Sequence, residues 1–330
     1  VDVIRDPDGP SVWARLTGVF RLTGPAADPA ALILEGTLAE ATVRAGTRTL
    51  RIQDPLPVRF EDGAFGLGPA RFSGRGSDLE LACAFDADTG VADVGVRGHV
   101  DLGVLTAMIP DATASGRMEV DLRVSGRPEA LETTGRARLD GGRLRFLGFA
   151  QAFESIGFEV EIEDSEARIR DVHALLGGGE LRGVGGVLLD GFGLDSYRLE
   201  LTGANVMAAY PEDFRAVYEG EVVLRGDAHA AELGGRMHML RGEYTQAIDA
   251  ASLLGGGSRE YSTSETFELP TRVFLDIDVT ADGNVWMRND LVEVETDFDL
   301  AVGGDIDRPE VLGRIRVFEG GELRFRDVDY

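Results

Sequence analysis

The sequence contains no lysine, so its Lys+Arg total of 33 is entirely arginine. That absence removes a Walker-type phosphate site, Schiff-base chemistry and a Ser-Lys dyad. There is one cysteine, Cys83, which excludes an internal disulfide; a reducing compartment and a large periplasmic protein both fit. No apolar run is long enough to span a bilayer and no signal peptide is present. Positive charge is scarce: 58 acidic residues leave a net charge of −25. Such a surface repels phosphate backbones and anionic headgroups, which argues against nucleic acid as a partner.

Catalytic and metal signatures are also missing. His99, His173, His229 and His238 are scattered, without H-E-x-x-H or Cys/His ligand spacing. There is no G-x-S-x-G elbow. Gly177–Gly179 and Gly255–Gly257 read as turns rather than phosphate loops, because no lysine follows either. Asp6 and Asp8 before Gly9 lack the later ligands of a calcium loop. Carboxylates spaced i,i+2, such as Asp276 with Asp278 or Glu159 with Glu161, are what a solvated strand face produces. Trp13 and Trp286 read as packing or rim residues. The expectation is a protein that is not an enzyme and takes no cofactor and no metal.

What is abundant is alternation with period two. Met118, Val120, Leu122 and Val124 alternate with Arg117, Glu119, Asp121 and Arg123. Phe158, Val160 and Ile162 alternate with glutamates, and Val273, Leu275, Ile277 and Val279 with Arg272, Asp276 and Asp278, although Phe274 spoils that polar side. The same pattern places Leu199, Leu201, Val222, Leu224, Met237, Met239, Phe298, Leu300, Val302, Ile315, Val317, Leu323 and Phe325 on one dry face. These are half-buried antiparallel strands with one wet side. Residues 101–109 and 146–156 are expected as short helices, and 244–260 as a mobile loop.

The 44 glycines mark an internal repeat. Gly126, Gly135 and Gly142 recur in spacing as Gly226, Gly235, Gly242 and as Gly304, Gly313, Gly320. A second unit, VRFEDGAFGLGPARFSGRGSDLELACAF (58–85), is similar to residues 158–189: strand, acidic turn, strand, glycine turn, strand. The reading is a meander whose turns need glycine, extended into one continuous β-domain over 1–330 with approximate sub-units 1–100, 101–206 and 207–330. Both ends read as cut from something longer. A sheet with one apolar face needs a partner layer. A sandwich, a closed solenoid or barrel, or an open trough holding something greasy would each satisfy that need.

Several stretches resemble the TamB family within the AsmA-like group: GGDIDRPEVLGRIRVFEGGELRF (303–325), VWMRNDLVEVETDFDLAV (285–302) and LLGGGELRGVGGVLLDGFGLDSYRLELTGANV (175–206). The turn at Arg308-Pro309 followed by Leu312-Gly313 fits the family pattern, whereas 227–233 lacks the proline. The resemblance implies an all-β, long repetitive antiparallel sheet curled into an open trough, β-taco-like, with a few short helices and long loops. It implies a groove lined by the apolar residues above, carrying phospholipid between the inner and outer membranes of a diderm bacterium. Location would be the periplasm, with an inner-membrane anchor helix and an Omp85-type outer-membrane barrel partner contributed by parts of the parent chain not present here. A structural or adhesive β-solenoid without lipid transport, and less readily a polysaccharide-acting β-helix enzyme, are the competing readings.

Overall fold

In the computed structural model the described residues are 2–3, 12–24, 33–45, 48–61, 63–107, 112–147, 149–190, 193–209, 214–245, 272–289, 292–306, 308–325 and 328–329. Nearly all of them are extended, because β-branched and aromatic residues alternate with charged ones and leave no helical stripe. The chain forms two compact units, each discontinuous in sequence. One is Val1–Leu144 with Ser155–Asp171 and Gly185–Tyr197; the other is Arg145–Glu154, Val172–Val184 and Arg198–Tyr330.

The first unit begins with β1 (Asp2–Val3), β2 (Val12–Thr23), β3 (Ile33–Ala45), β4 (Arg48–Ile52), β5 (Leu56–Glu61) and β6 (Ala64–Gly74). It continues through β7 (Ser77–Asp86), β8 (Val91–Asp101), β9 (Ala112–Arg127) and β10 (Ala130–Phe146), whose last residues belong to the second unit. Each strand pairs antiparallel with the next, except that β4 and β5 are two halves of one interrupted strand between β3 and β6. Strands β11 (Phe153–Glu163), β12 (Glu166–Leu176), β13 (Gly179–Asp190) and β14 (Gly193–Ala209) follow. The second unit then runs through β15 (Phe214–Gly226), β16 (Ala230–Tyr244), β17 (Arg272–Arg288), β18 (Val292–Asp305), β19 (Arg308–Val317), β20 (Glu322–Phe325) and β21 (Val328–Asp329).

The expected all-β, repetitive sheet is present, and it is open: among the described residues no ladder closes into a barrel. Three details differ from the expectation. First, β16 and β17 pair in parallel, Ala230 beside Arg272 through Tyr244 beside Met287, so the sheet is mixed. A parallel pair requires the chain to return along the whole strand, and residues 245–271 supply the necessary length. The predicted loop at 244–260, with Gly255–Gly257, lies outside the described residues beyond Thr245, as do Asp6, Asp8 and Gly9.

Second, one of the two expected short helices is absent. Leu102–Ala107 forms a short 3-10 helix within 101–109, of which 108–109 lie outside the described residues. Residues 146–156 form no helix: β10 ends at Phe146 and β11 starts at Phe153. Phe146 and Phe153 meet edge-on with centroids 6.2 Å apart, Phe149 stacks on Phe153 at 6.3 Å, and the Phe149 amide donates to the Phe146 carbonyl. Three aromatic rings packed together stabilise the reversal more than a short isolated helix would be stabilised.

Third, the second glycine of the repeat is not in a turn. Gly135 and Gly235 lie inside β10 and β16, and Gly313 inside β19, all with φ between 142° and 151°. A Cβ there would stand 2.1–2.2 Å from the carbonyl oxygen of Asp121, Glu221 and Asp299 respectively. Neighbouring backbones approach too closely for any side chain, which only glycine permits. Two of the turns are the two-residue kind: Asp164-Ser165 and Gly177-Gly178 have positive φ at both positions, which suits the right-handed twist of their hairpins.

Candidate functional site

The registers assemble the alternating apolar residues into rows that cross the strands. In the first unit one row runs Phe20, Gly36, Val58, Leu67, Cys83, Val94, Val124 across seven strands. At ~4.8 Å per strand that row is about 29 Å long. Neighbouring positions add Val96 opposite Leu122, Gly98 opposite Val120 and Val100 opposite Met118. In the second unit Val222, Gly235, Ile277, Val302 and Val311 form one row, and Gly220, Met237, Val279, Leu300 and Gly313 the next. A third joins Leu224, Leu233, Leu275 and Gly304, and Val273 lies beside Ala231.

Burial separates this face into floor and crease. Most row residues are half-buried, and among the described residues no large side chain is fully buried. Half-burial of this kind differs from the close-packed core of a sealed sandwich. The deepest residues sit where bulges line up. In the first unit β3 has an extra residue opposite β2, residues 53–55 separate β4 from β5, and Gly68-Pro69 interrupt β6. Leu38, Ala41, Leu56, Val58 and Ala70 form a buried cluster there. In the second unit the bulges at Val217/Tyr218, His238/Gly242 and Ala281/Val285 adjoin, and Ala216, Met239, Ala281 and Val285 are buried among Phe214, Tyr218 and Phe298. A bulge bends its strand, so aligned bulges crease the sheet and bring apolar side chains on either side together.

The crease carries a signal that spacing alone did not reveal. Leu139 is 2% exposed and Met239 3% exposed, and each lies over the glycine three residues on. A Cβ at Gly142 would meet Leu139 Cδ2 at 2.7 Å, and one at Gly242 would meet Met239 Sδ at 2.7 Å. In these two copies the third glycine thus makes room for a buried anchor. Tyr218, opposite Met239, has its phenol pKa pushed up to about 12 by burial. Burial, and after it the charge of Asp93, raises the Cys83 thiol.

The other predicted residues fall as follows. Phe158, Val160 and Ile162 on β11 and Leu199 and Leu201 on β14 are half-buried and alternate with exposed residues. Ile315 and Val317 are in register with Phe298 and Thr296 but are 63% and 60% exposed, because among the described residues β19 is paired on one side only. Leu323 and Phe325 lie on β20, where their side chains are outside the described set.

The opposite face is held by arginine–carboxylate pairs. Arg138 meets Glu159 at 3.0 Å and Arg170 meets Glu161 at 3.0 Å. Arg123 pairs with Asp93, and that hydrogen bond holds the Asp93 carboxyl below its ordinary range. His238, on the same side, contacts Thr280 Oγ1 at 3.1 Å. A depression of about 710 Å³ lies on this face, lined by Arg97, Glu119, Asp121, Arg136, Arg138 and Glu161 among others. It lies between long charged side chains, with Val120, Ala137 and Val160 also in its lining.

These features define a class: a repetitive open-sheet protein with one apolar and one ion-paired face. Residues 170–329 match the TamB C-terminal domain family, so the chain is TamB-like over just under half its length. The glycine repeat and alternation continue through the residues before that match. Comparison with curated proteins and with solved structures gives no match.

Proposed function

We infer that the apolar face is a groove for phospholipid acyl chains in a periplasmic bridge of the TamB type. The observation that carries the reading is the rows themselves: apolar side chains in register over many strands, most of them only half-buried among the described residues. Soluble monomers rarely leave such a surface bare. Two acyl chains with roughly 30 methylenes would cost on the order of 20 kcal/mol to hydrate. An apolar wall makes transfer from membrane to groove nearly neutral for the tails, while the headgroup stays wet at the rim. Even, shallow affinity lets a lipid slide, and no catalytic group is involved. The TamB-type family match supports a place in outer-membrane biogenesis, with an Omp85-type barrel as the partner of the parent protein.

The test is to express residues 1–330 in a bacterial periplasm, purify them and identify extracted phospholipid by mass spectrometry. Phospholipid should copurify with the parent chain and with Asp278→Arg, and fall at least fivefold with Ile277→Asp. A lipid-free, stable, monomeric protein would instead support a closed structural role.

A further inference from the structure

One position on the apolar face of the first unit departs from its pattern. The registers carry the row Ala14, Val43, Leu50, Gly74 and Ser77 across β2, β3, β4, β6 and β7. Two residues before Leu50, and so on the same side of β4, stands Arg48, opposite Ala45. Among the described residues of β2–β9 it is the one charged residue whose register falls on this face. A partly buried guanidinium is costly unless it is paired.

Its partner is Asp101, at the end of β8. Arg48 Nε and Nη2 donate to Asp101 Oδ1 at 2.9 and 2.8 Å, and the two side chains are only 23% and 17% exposed. Asp101 is itself held in place. The Gly103 amide donates to the same oxygen at 2.8 Å, and the Asp101 amide donates to Ser77 Oγ at 2.9 Å. No side chain fits at Gly103, whose Cβ would stand 2.7 Å from both Arg48 Nε and Nη2. These contacts use one edge of the guanidinium fork. Among the described residues Arg48 Nη1 has no partner, and it is not buried. Arg75 lies in the turn between β6 and β7 and Arg117 stands opposite Asp101, so this rim does not share the acidic excess of the whole chain.

We propose that Arg48 binds the phosphate of a phospholipid headgroup through Nη1, while the acyl chains lie on the apolar rows beside it. This rests on the groove reading above and adds a headgroup site to it. A planar guanidinium fork matches phosphate oxygens in shape and charge. Asp101 is a positioning residue: it fixes one edge of the fork and leaves the other accessible. From Ser77 the apolar side of β7 continues through Leu79, Leu81, Cys83 and Phe85. That is roughly 27 Å at ~3.4 Å per residue, enough for a fully extended acyl chain whose head stays at the rim.

The test uses residues 1–330 and three probes kept below their micelle concentrations. They are dihexanoyl phosphatidylglycerol, dihexanoylglycerol with the same chains and no phosphate, and inorganic phosphate. Calorimetry measures affinity, and amide hydrogen exchange locates the ligand. The phospholipid should bind at least tenfold more tightly than dihexanoylglycerol and slow exchange over Arg48–Ile52 and Asp101–Gly103. Neutralising the pair with Arg48→Met and Asp101→Asn together should bring the two affinities within twofold of each other. Arg51→Met, on the other side of β4, should leave the tenfold preference intact. If the neutralised pair does not fold, Arg48→Lys keeps a charge beside Asp101, removes Nη1 and should cut the preference at least threefold. Equal binding of phospholipid and dihexanoylglycerol by the parent chain, or protection away from Arg48, would overturn the headgroup site and leave the groove reading standing. No binding of either acyl ligand would overturn the groove reading and this one with it. Inorganic phosphate binding as tightly as the phospholipid would overturn the lipid assignment, by making the site one for free anions.

Discussion

Two copies of the repeat, one in each unit, place an anchor against a glycine in the same way, and a third does not. Leu139 over Gly142 and Met239 over Gly242 are almost completely buried. Val317, three residues before Gly320, is 60% exposed. The sequence pattern is the same in all three, so burial is decided by what flanks the strand. β10 and β16 have neighbours on both sides, whereas among the described residues β19 is paired only to β18. An anchor becomes core when the next strand arrives to bend around it.

That comparison can be broken most severely at the glycine inside the strand. Gly235→Val should cost more than about 3 kcal/mol in urea unfolding, because a side chain at that φ collides with a carbonyl oxygen that cannot move away. Gly313→Val should cost less, since an edge strand can shift outward. Equal losses would mean that edge and interior strands are equally constrained.

Truncating the anchors comes next. Met239→Ala and Leu139→Ala should each lose about 2–4 kcal/mol, while Val317→Ala should lose under about 1 kcal/mol. Thermal or urea melts of the three variants measure the contrast directly.

A pH titration sharpens it further, because Tyr218 faces Met239 in one copy and Met118 stands in the corresponding place of the other. Burial pushes the folded phenol up to about 12, from an ordinary value of about 10. Its contribution is therefore complete below pH 10 and lost as pH rises toward 12, on the order of 2 kcal/mol in all. Tyr218→Phe should remove that part of the alkaline loss, and ultraviolet titration should find one late tyrosinate. The smallest effect belongs to the wet face: Arg138→Ala should change stability by less than about 0.5 kcal/mol, because its pair with Glu159 is more than half exposed on both sides.

Much of the architecture was legible because strand periodicity is a local property. Met118 through Val124 and Val273 through Val279 declare one apolar side by alternation alone, and the registers set them beside residues of the neighbouring strands. The meander of β5–β7 was readable from its turn residues for the same reason. The glycines misled, since spacing cannot distinguish a glycine that turns the chain from one that lets another backbone pass at close range. Gly135, Gly235 and Gly313 are of the second kind. The helix expected at 146–156 failed because the rings of Phe146, Phe149 and Phe153 find one another only once the two strands have reversed.

The amino-acid sequence by itself determined that this protein is all-β and repetitive, with an apolar side and a charged side, because side chains alternate every residue whatever surrounds the strand. Tertiary structure alone decided which apolar residues are core and which remain surface. It also decided the parallel neighbours β16 and β17 and the sign that each charged row presents to the next strand. Those outcomes depend on register and on bulges that line up between strands far apart in sequence, and no local pattern carries that information.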